Sequence, residues 1–589
     1  MNMKRLFFII FLFIFSLGVY AQDNSIRSDV ETAVKYLQYA QGFVDKEQWN
    51  DAYNAVIRAS DFKDVLSDIP YLTAVLQLKA GNAGRVDAIN NLNDAISVKH
   101  WEIYSENHAL LFMAEQQIII KDYQGAINSL DRISERGELA NNLTTESHAQ
   151  IRADAAILRL TALRAMACGY NEGYDYVLAL TQFRSHVLSA MDRFPRDGRP
   201  LRIFFEYARN RMPSLNEMSE PSDLYLLELA LRRLPFLLES YPDLAWMASA
   251  LIWDLDEARR LTGAYRAVNY PHPSSVPIAL NLGLIDDDTA IDELFASAEE
   301  GKIKIISREN AVDTYNLLRS EEGRASFTEK LNSFTGIIEF DADYDWYADT
   351  YVTYKSGSIE KFQFKNNLFN YCDYTVNFDI NNSPIMCNNY ISSMDIFWER
   401  YPSVKKIVSG NEEFLFGPVF LQYTPLKFTQ IGGSDDMEGL IYPEFADHGV
   451  ITRRALLSFC SNIIRPSAEI EGAKETIYMS RGLIQQVIEE IGGKQIAVTE
   501  FQRGLPVIQR IDLDQDGRME TIRQFRRPPS DYVWENLLDY RRLISSSQSD
   551  WRGDGRFMTK EVYTLDGSVV YYFDMDGSGE LKRSETGNR

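Results

Sequence analysis

A chain of 589 residues with 45% hydrophobic and 25% charged content has the composition of ordinary globular protein and is too long for a single core. Its net charge of -23 removes the basic footprint on which nucleic-acid and anionic-membrane binding depend, and it favours cations instead. Among its four cysteines, Cys168, Cys372, Cys387 and Cys460, there is no Cys-x-x-Cys pair, which excludes the usual zinc and thioredoxin-like spacings.

In chain order, Lys4-Arg5 precede an apolar run from Leu6 to Val19 that closes on Val19-Tyr20-Ala21, the three-part plan of a secretory signal peptide over residues 1–21. The run is shorter than the roughly 20 residues that span a bilayer, so cleavage is expected rather than anchoring. No later stretch reads as a second membrane span, and no cysteine follows the cleavage point to carry a lipid. The expected location is therefore exported, periplasmic or secreted. Export permits disulfides, and Cys372 and Cys387 either close a short loop between two strand-like runs or remain buried thiols.

From Ser28 the apolar positions follow the helical period, broken by short polar stretches. A longer phrase repeats within them. Tyr36-x-x-Tyr39-Ala40-x-x-Phe43, Gln48-Trp49-Asn50-Asp51-Ala52-Tyr53, then Val56 and Ala59 put a small residue in each of two successive helices. Leu110-x-x-Met113-Ala114, Lys121-Asp122-Tyr123-Gln124-Gly125-Ala126-Ile127, then Leu130 and Ile133 repeat it. Arg85-Val86-Asp87-Ala88-Ile89 with Leu92 and Ala95 is a looser copy. Ala52, Ala88 and Ala126 are spaced by 36 and 38 residues, within the range of helix-pair solenoids.

These phrases resemble tetratricopeptide repeats (TPR), with two good copies, one loose copy and a degenerate one around Ala165, Tyr174 and Leu178, together covering about Ser28 to Pro195. The resemblance implies an α-solenoid of helix pairs over residues 22–200 whose concave face docks a protein or peptide partner. Single repeats cannot bury their apolar faces alone, so a run of them is required. Tyr36, Phe43, Trp49, Tyr53 and Tyr123 read first as packing residues between helices.

Residues 201–333 read as further helix without the repeat. Pro221-Ser222-Asp223 and Pro242-Asp243-Leu244 supply start and stop signals, and Asn269 to Ser275 is a loop on composition. Asp286 to Glu300 is a helix that opens on a run of aspartates, where negative charge is favoured. Asp313 to Asn332 completes the helical half.

Over 334–589 the period changes to two, giving a mainly antiparallel β-rich, α+β region. Strands are expected at Gly336 to Phe340, Ala348 to Tyr354, Ile359 to Phe364, Phe369 to Phe378, Phe414 to Tyr423, Gln495 to Phe501, Phe557 to Thr564 and Ser568 to Phe573. Ser356-Gly357-Ser358 reads as a tight turn. Helical patches are expected at Thr452 to Asn462 and Ile477 to Ile491, and a mobile loop at Ser545 to Asp550.

Three acidic loops punctuate this half. Asp512-Leu513-Asp514-Gln515-Asp516-Gly517-Arg518-Met519-Glu520 places carboxylates at alternate positions with a glycine after the third, a spacing that wraps one hard cation. On one frame, Asp341, Asp343, Asp345 and Asp349 match Asp512, Asp514, Asp516 and Glu520. The third copy has Asp574, Asp576 and Glu580, with Tyr572 at the first position. The loops resemble the Asp-x-Asp-x-Asp-Gly calcium loops of EF-hands, dockerins and integrin-type propeller repeats, which implies structural calcium (Ca2+) at these residues. Strand-like flanks, and Val352 and Arg523 at the twelfth position, set them apart from helical EF-hands. Asp and Gly are also plain turn formers.

No catalytic phrase is present. The six histidines include no His-Glu-x-x-His pair, and there is no Gly-x-Ser-x-Gly elbow, no Walker A loop and no Gly-x-Gly-x-x-Gly after a strand. The sequence thus points to an exported, non-enzymatic scaffold of the bacterial cell envelope that docks a protein or peptide through helical repeats and carries calcium-stabilised β-hairpins. The alternative is a carbohydrate- or envelope-polymer-binding or -processing function in the C-terminal half, motivated by Trp346, Trp398 and Tyr390.

Overall fold

The computed structural model describes residues 29–584 apart from 45, 63–65, 80–83, 134–144, 170–173, 212–220, 270–271, 297–302, 342–347, 366–372, 419, 431–439, 447–450, 513, 529–533 and 566. The expected signal peptide lies outside the described residues. The chain divides into two units, one formed by Met1–Gly357, Gln363–Asp373 and Gln430–Tyr442, the other by Ser358–Phe362, Tyr374–Thr429 and Pro443–Arg589.

In the first unit, helices α1 (29–44), α2 (Trp49–Ser60), α3 (Asp68–Lys79), α4 (Arg85–Val98), α5 (Glu106–Ile119), α6 (Tyr123–Asp131), α7 (Thr145–Gly169) and α8 (Tyr174–Arg193) follow one another, and from α2 onward each packs on the next. The alanines of the repeated phrase explain the packing. Ala40, Ala52, Ala88, Ala114 and Ala126 are completely buried, where a larger side chain would hold neighbouring helix axes apart. Tyr36, Phe43 and Trp49 pack against the core of the first five helices, and Tyr123 against the next cluster, in keeping with their expected packing role. Tyr53 is partly exposed. Asp68 locks the entry to α5: its buried carboxylate accepts the backbone N–H groups of Glu102, Ile103 and Tyr104 at 2.8, 3.1 and 2.7 Å.

Helices α9 (Arg199–Arg211), α10 (Pro221–Arg233), α11 (Leu244–Ser249) and α12 (Leu255–Val268) share a core with α7 and α8 built on Phe183, Phe204, Phe205 and Trp246. Helices α13 (Val276–Asn281) and α14 (Asp287–Ala296) follow. Asp286 Oδ1 accepts the Thr289 N–H at 2.9 Å, so the aspartate run does start a helix.

A three-residue strand, β1 (Ile305–Ser307), interrupts the stretch read as helical, before α15 (Arg308–Leu317) and α16 (Glu321–Asn332). Ser307 accepts the Asn310 N–H at 3.2 Å and so starts α15 earlier than the expected Asp313. Strand β1 runs parallel to β2 (Gly336–Phe340), with Ser307 opposite Glu339, and β2 pairs antiparallel with β3 (Thr350–Lys355). Ser356 and Gly357, at φ 49° and 78°, make the tight turn that follows.

Beyond Gly357 the chain is mainly antiparallel strand, most of it in the second unit. Strands β4 (Ser358–Phe364), β5 (Tyr374–Phe378), β6 (Pro384–Asn389), β7 (Met394–Arg400), β8 (Ser403–Ser409) and β9 (Glu412–Phe416) lead to β10 (Leu426–Gln430) and β11 (Ile441–Phe445), which form their own ribbon, and to α17 (Arg453–Phe459). Then come β12 (Cys460–Pro466), β13 (Lys474–Ser480), β14 (Leu483–Ile491), β15 (Lys494–Gln502), β16 (Leu505–Ile511), β17 (Thr521–Phe525), a 3-10 segment (Trp534–Leu543), β18 (Ile544–Ser549), β19 (Thr559–Tyr563), β20 (Val569–Phe573) and β21 (Lys582–Arg583). From β5 to β9 and from β12 to β21 each strand pairs antiparallel with the next, and β9 pairs with β12 across the gap.

Several expectations are corrected here. Ile477 to Ile491 is two strands, not a helix: Arg481 and Gly482 turn the chain at φ 52° and 75°, and a bulge beside Met479 offsets the alternation so that apolar residues fall at helix-like spacing. Ser545 to Asp550 is strand β18 and its exit, not a mobile loop. The helix expected to reach Asn462 stops at Phe459, because Cys460 begins β12. Cys387 is a free thiol on β6, completely buried, and burial pushes its pKa up to about 12. Of the two alternatives left open for the pair, Cys387 meets the buried-thiol one, and Cys372 lies outside the described residues.

Candidate cation loop and helical docking face

Strand β16 delivers Asp512 to the edge of the ladder, where its N–H still donates to Ile496 O at 2.7 Å and its side chain is 4% exposed. The carboxylate turns back over the loop: Oδ2 accepts the Gly517 N–H at 2.8 Å and Oδ1 the Asp516 N–H at 3.2 Å. Left-handed backbone at Gln515 and Gly517, φ 62° and 96°, makes the loop tight enough for this. Asp514 Oδ1 also accepts the Asp516 N–H, at 3.1 Å, and Glu520 Oε1 accepts the Asp514 N–H at 3.3 Å. One oxygen each from Asp512, Asp514 and Glu520 lies within 4.8 Å of the others. Asp516 is outside this trio; its Oδ1 accepts the Arg518 N–H at 2.7 Å. The donor set suits a hard cation, for which calcium would draw its remaining oxygens from backbone and water.

The same turn is built twice more. Asp550 Oδ1 and Oδ2 accept the Gly553 and Gly555 N–H groups at 2.9 and 2.7 Å, and Asp574 Oδ2 accepts the Gly579 N–H at 2.9 Å. In each case a buried aspartate binds the glycine five residues on. The Asp550 loop was missed in the sequence, although Asp550-x-x-x-Asp554-Gly555 has the spacing of Asp512-x-x-x-Asp516-Gly517.

This geometry corrects the frame of the last loop. Asp574, not Tyr572, corresponds to Asp512; Asp576 then corresponds to Asp514, Ser578 to Asp516, and Lys582 to Glu520. Lys582 Nζ donates to Asp576 Oδ2 at 2.8 Å and holds that carboxyl well below the usual carboxylate range. Glu580 points to solvent.

The earliest loop departs further. Asp343 and Asp345 lie outside the described residues. Asp349 is 2% exposed and pairs with Lys121 Nζ at 3.3 Å, while its N–H donates to Phe340 O at 2.9 Å. Asp341 lines a cavity of the first unit.

A second set of buried charges lies under the 3-10 segment. Glu475 on β13 and Glu489 on β14 are directly opposed across the ladder and nearly inaccessible. Arg541 Nη2 reaches Glu475 at 3.0 Å and Glu489 at 2.8 Å, and Arg465 Nε reaches Glu475 at 2.6 Å. Tyr540 OH adds a bond to Glu475 at 3.3 Å. These residues are a clamp that fastens the Trp534–Leu543 segment to the sheet.

No family model matches the chain, and no curated protein matches its sequence. In structure it is similar to pilF from Pseudomonas aeruginosa, at 10% identity over 51% of this chain and 98% of that one, with a TM-score of 0.27. A tetratricopeptide repeat protein from Parabacteroides merdae matches at 10% identity over 50% and 97%, with a TM-score of 0.29. The TPR domain of P58(IPK) matches at 12% identity over 51% and 96%, with a TM-score of 0.16. Scores this low leave family and function unassigned.

The helical repeats also carry an outward aromatic group. Tyr39 on α1 is 63% exposed and meets Tyr36 edge-on at 6.4 Å, and Tyr36 stacks on Phe62, just past α2, at 5.8 Å. Of the aromatics named for polymer binding, Trp398 is buried, stacked on Tyr423 and donating to its carbonyl at 3.1 Å. Tyr390 is exposed, and Trp346 lies outside the described residues. Among the described residues, no helix is long and apolar enough to cross a membrane.

Proposed function

We propose that this protein is an exported, non-enzymatic scaffold of the cell envelope that docks a protein or peptide partner through its helical repeats. The observation that carries this reading is the division of labour within α1 and α2. Their alanines are consumed in packing, whereas Tyr39 and Phe62 stay exposed around Tyr36. Exposed aromatics on a rigid mount supply large contact area at low entropic cost, as interface anchors do. The signal-peptide plan of residues 1–21 supports export.

In the second unit, calcium held by Asp512, Asp514 and Glu520 would tie the β16–β17 turn. The last loop supports this by contrast, because there Lys582 places an ammonium on Asp576 at the position that Glu520 holds in the Asp512 loop.

Crosslinking mass spectrometry in envelope extract tests the docking reading, with wild-type protein and a Tyr39→Ala/Phe62→Ala variant as baits. The expected result is a partner whose crosslinks map to α1 and α2 and which the variant loses. Equal recovery by both baits would remove the aromatic group from the interface.

A further inference from the structure

The first unit has an open cavity of about 870 Å3 walled by α9, the α11–α12 turn, α13, α15 and the end of β2. Sites for small molecules run from roughly 300 to 1,000 Å3 and combine an apolar wall with a few convergent polar groups. Here Ile252, Leu255 and Ile278 are apolar members of the lining, and Glu309, Asp313, Glu339 and Asp341 are its carboxylates. The parallel pairing of β1 and β2 brings two of these together. It sets Ser307 opposite Glu339, and Ser307 is also the residue that starts α15, so Glu309 in the first turn of α15 and Glu339 on β2 arrive at one wall.

Among the described residues neither carboxylate has an ion-pair partner. Glu309 Oε2 accepts the Ser307 hydroxyl at 2.6 Å, while its Oε1 is buried with no hydrogen-bond partner. Glu339 has no side-chain hydrogen bond or ion pair among the described residues; burial, and then the nearby Glu309, push its pKa up. The cationic side chain of the lining, Arg209, is engaged by Asp313 at 3.5 Å. Like charges held together in a protein wall without a counter-ion are costly. A cation from outside would relieve that cost.

We propose that this cavity binds a small aliphatic amine, whose ammonium group donates to the Glu339 carboxylate within the field of the neighbouring Glu309, while its hydrocarbon stem lies against Ile252, Leu255 and Ile278. A bare metal ion would leave most of the volume and the whole apolar wall unused. An anion would meet the carboxylates. The site is independent of the docking face and of the Asp512 loop.

Calorimetric titration of the purified full chain with cadaverine, with pentanediol as its uncharged match, tests the assignment. Cadaverine should bind and pentanediol should not. Glu339→Gln should weaken binding by about tenfold or more, the effect of removing a charged hydrogen-bond partner, and Glu309→Gln should weaken it by a smaller factor through loss of the neighbouring charge. Circular dichroism establishes that each variant is folded. Wild-type protein provides a second readout: the affinity should fall as the pH is lowered from neutrality and Glu339, whose pKa is raised, takes up its proton. The groups facing Glu339 are Arg209 from α9, Glu309 and Asp313 from α15, and Asp341 beyond β2. No heat with cadaverine, equal binding of pentanediol, or affinity unchanged in both variants and across pH would overturn the assignment.

Discussion

Lys582 Nζ lies 2.8 Å from Asp576 Oδ2 in the last acidic loop, at the position that Glu520 occupies beside Asp514 in the first complete one. Both loops use a buried aspartate, Asp574 or Asp512, to hold the glycine five residues on. They differ at the ninth position, which is Lys582 in one and Glu520 in the other. In one loop an ammonium sits on Asp576; in the other, oxygens of Asp512, Asp514 and Glu520 lie within 4.8 Å of one another.

Calcium should therefore raise the melting temperature of the wild-type protein, and the rise should shrink in Asp514→Asn and Glu520→Gln. Calcium affinity follows ligand charge, so each variant should bind at least about tenfold more weakly. Lys582→Glu should add a second calcium equivalent in a calorimetric titration by giving the last loop the same acid pair. A single unchanged equivalent would show that the shared turn does not make a cation site.

Packing predicts opposite outcomes for two residues of α2 and α4. Ala88→Leu forces a larger side chain into a fully buried crossing and should cost about 1–3 kcal/mol. Tyr53→Ala, on a partly exposed surface, should stay within about 0.5 kcal/mol. Urea midpoints of the helical transition measure both.

Arg541→Met should remove the cation shared by Glu475 and Glu489 and leave Glu489 buried beside a like charge. Breaking such a buried pair costs about 3–5 kcal/mol. Differential scanning calorimetry should show the loss. Loss of less than about 1 kcal/mol would mean that water replaces the guanidinium.

Glu339 gives a pH dependence of known sign. Its folded-state pKa is raised by burial and by Glu309, so the folded protein holds the proton more tightly than the unfolded chain does. Stability is then lost as pH rises from the unfolded carboxylate value through the folded one. Glu339→Gln should flatten this part of the profile and be the more stable protein at neutral pH, even though it should bind the amine less well. Denaturant midpoints at about pH 5 and about pH 7 test this, and a wild-type profile parallel to that of the variant would contradict it. Stability given up at a binding site is the trade expected there.

What the sequence determined by itself was local. The small residues at Ala52, Ala88 and Ala126 were legible because helix spacing repeats every few residues and each repeat contacts only its neighbours. The aspartates at Asp286 to Asp288 could be read as a helix start for the same reason. Alternation over Gln495 to Phe501 and Ser568 to Phe573 marked strands, since a strand shows one face at every second residue. The Ile477 to Ile491 stretch misled because its bulge disturbs that alternation, and only the partner strands reveal a bulge.

The tertiary structure alone decided which carboxylates act together. The sequence shows Asp574 and Asp576 as equivalent members of an alternating run; burial at the end of β20 selects Asp574 as the residue that binds Gly579. Asp349 matched a ligand position in the acidic frame, yet Lys121, more than 200 residues earlier, claims it. Glu309 and Glu339 lie 30 residues apart in the chain and meet because β1 and β2 pair in parallel. Charge is a property of single residues, but its consequence depends on which charges share a low-dielectric space, and only long-range pairing decides that.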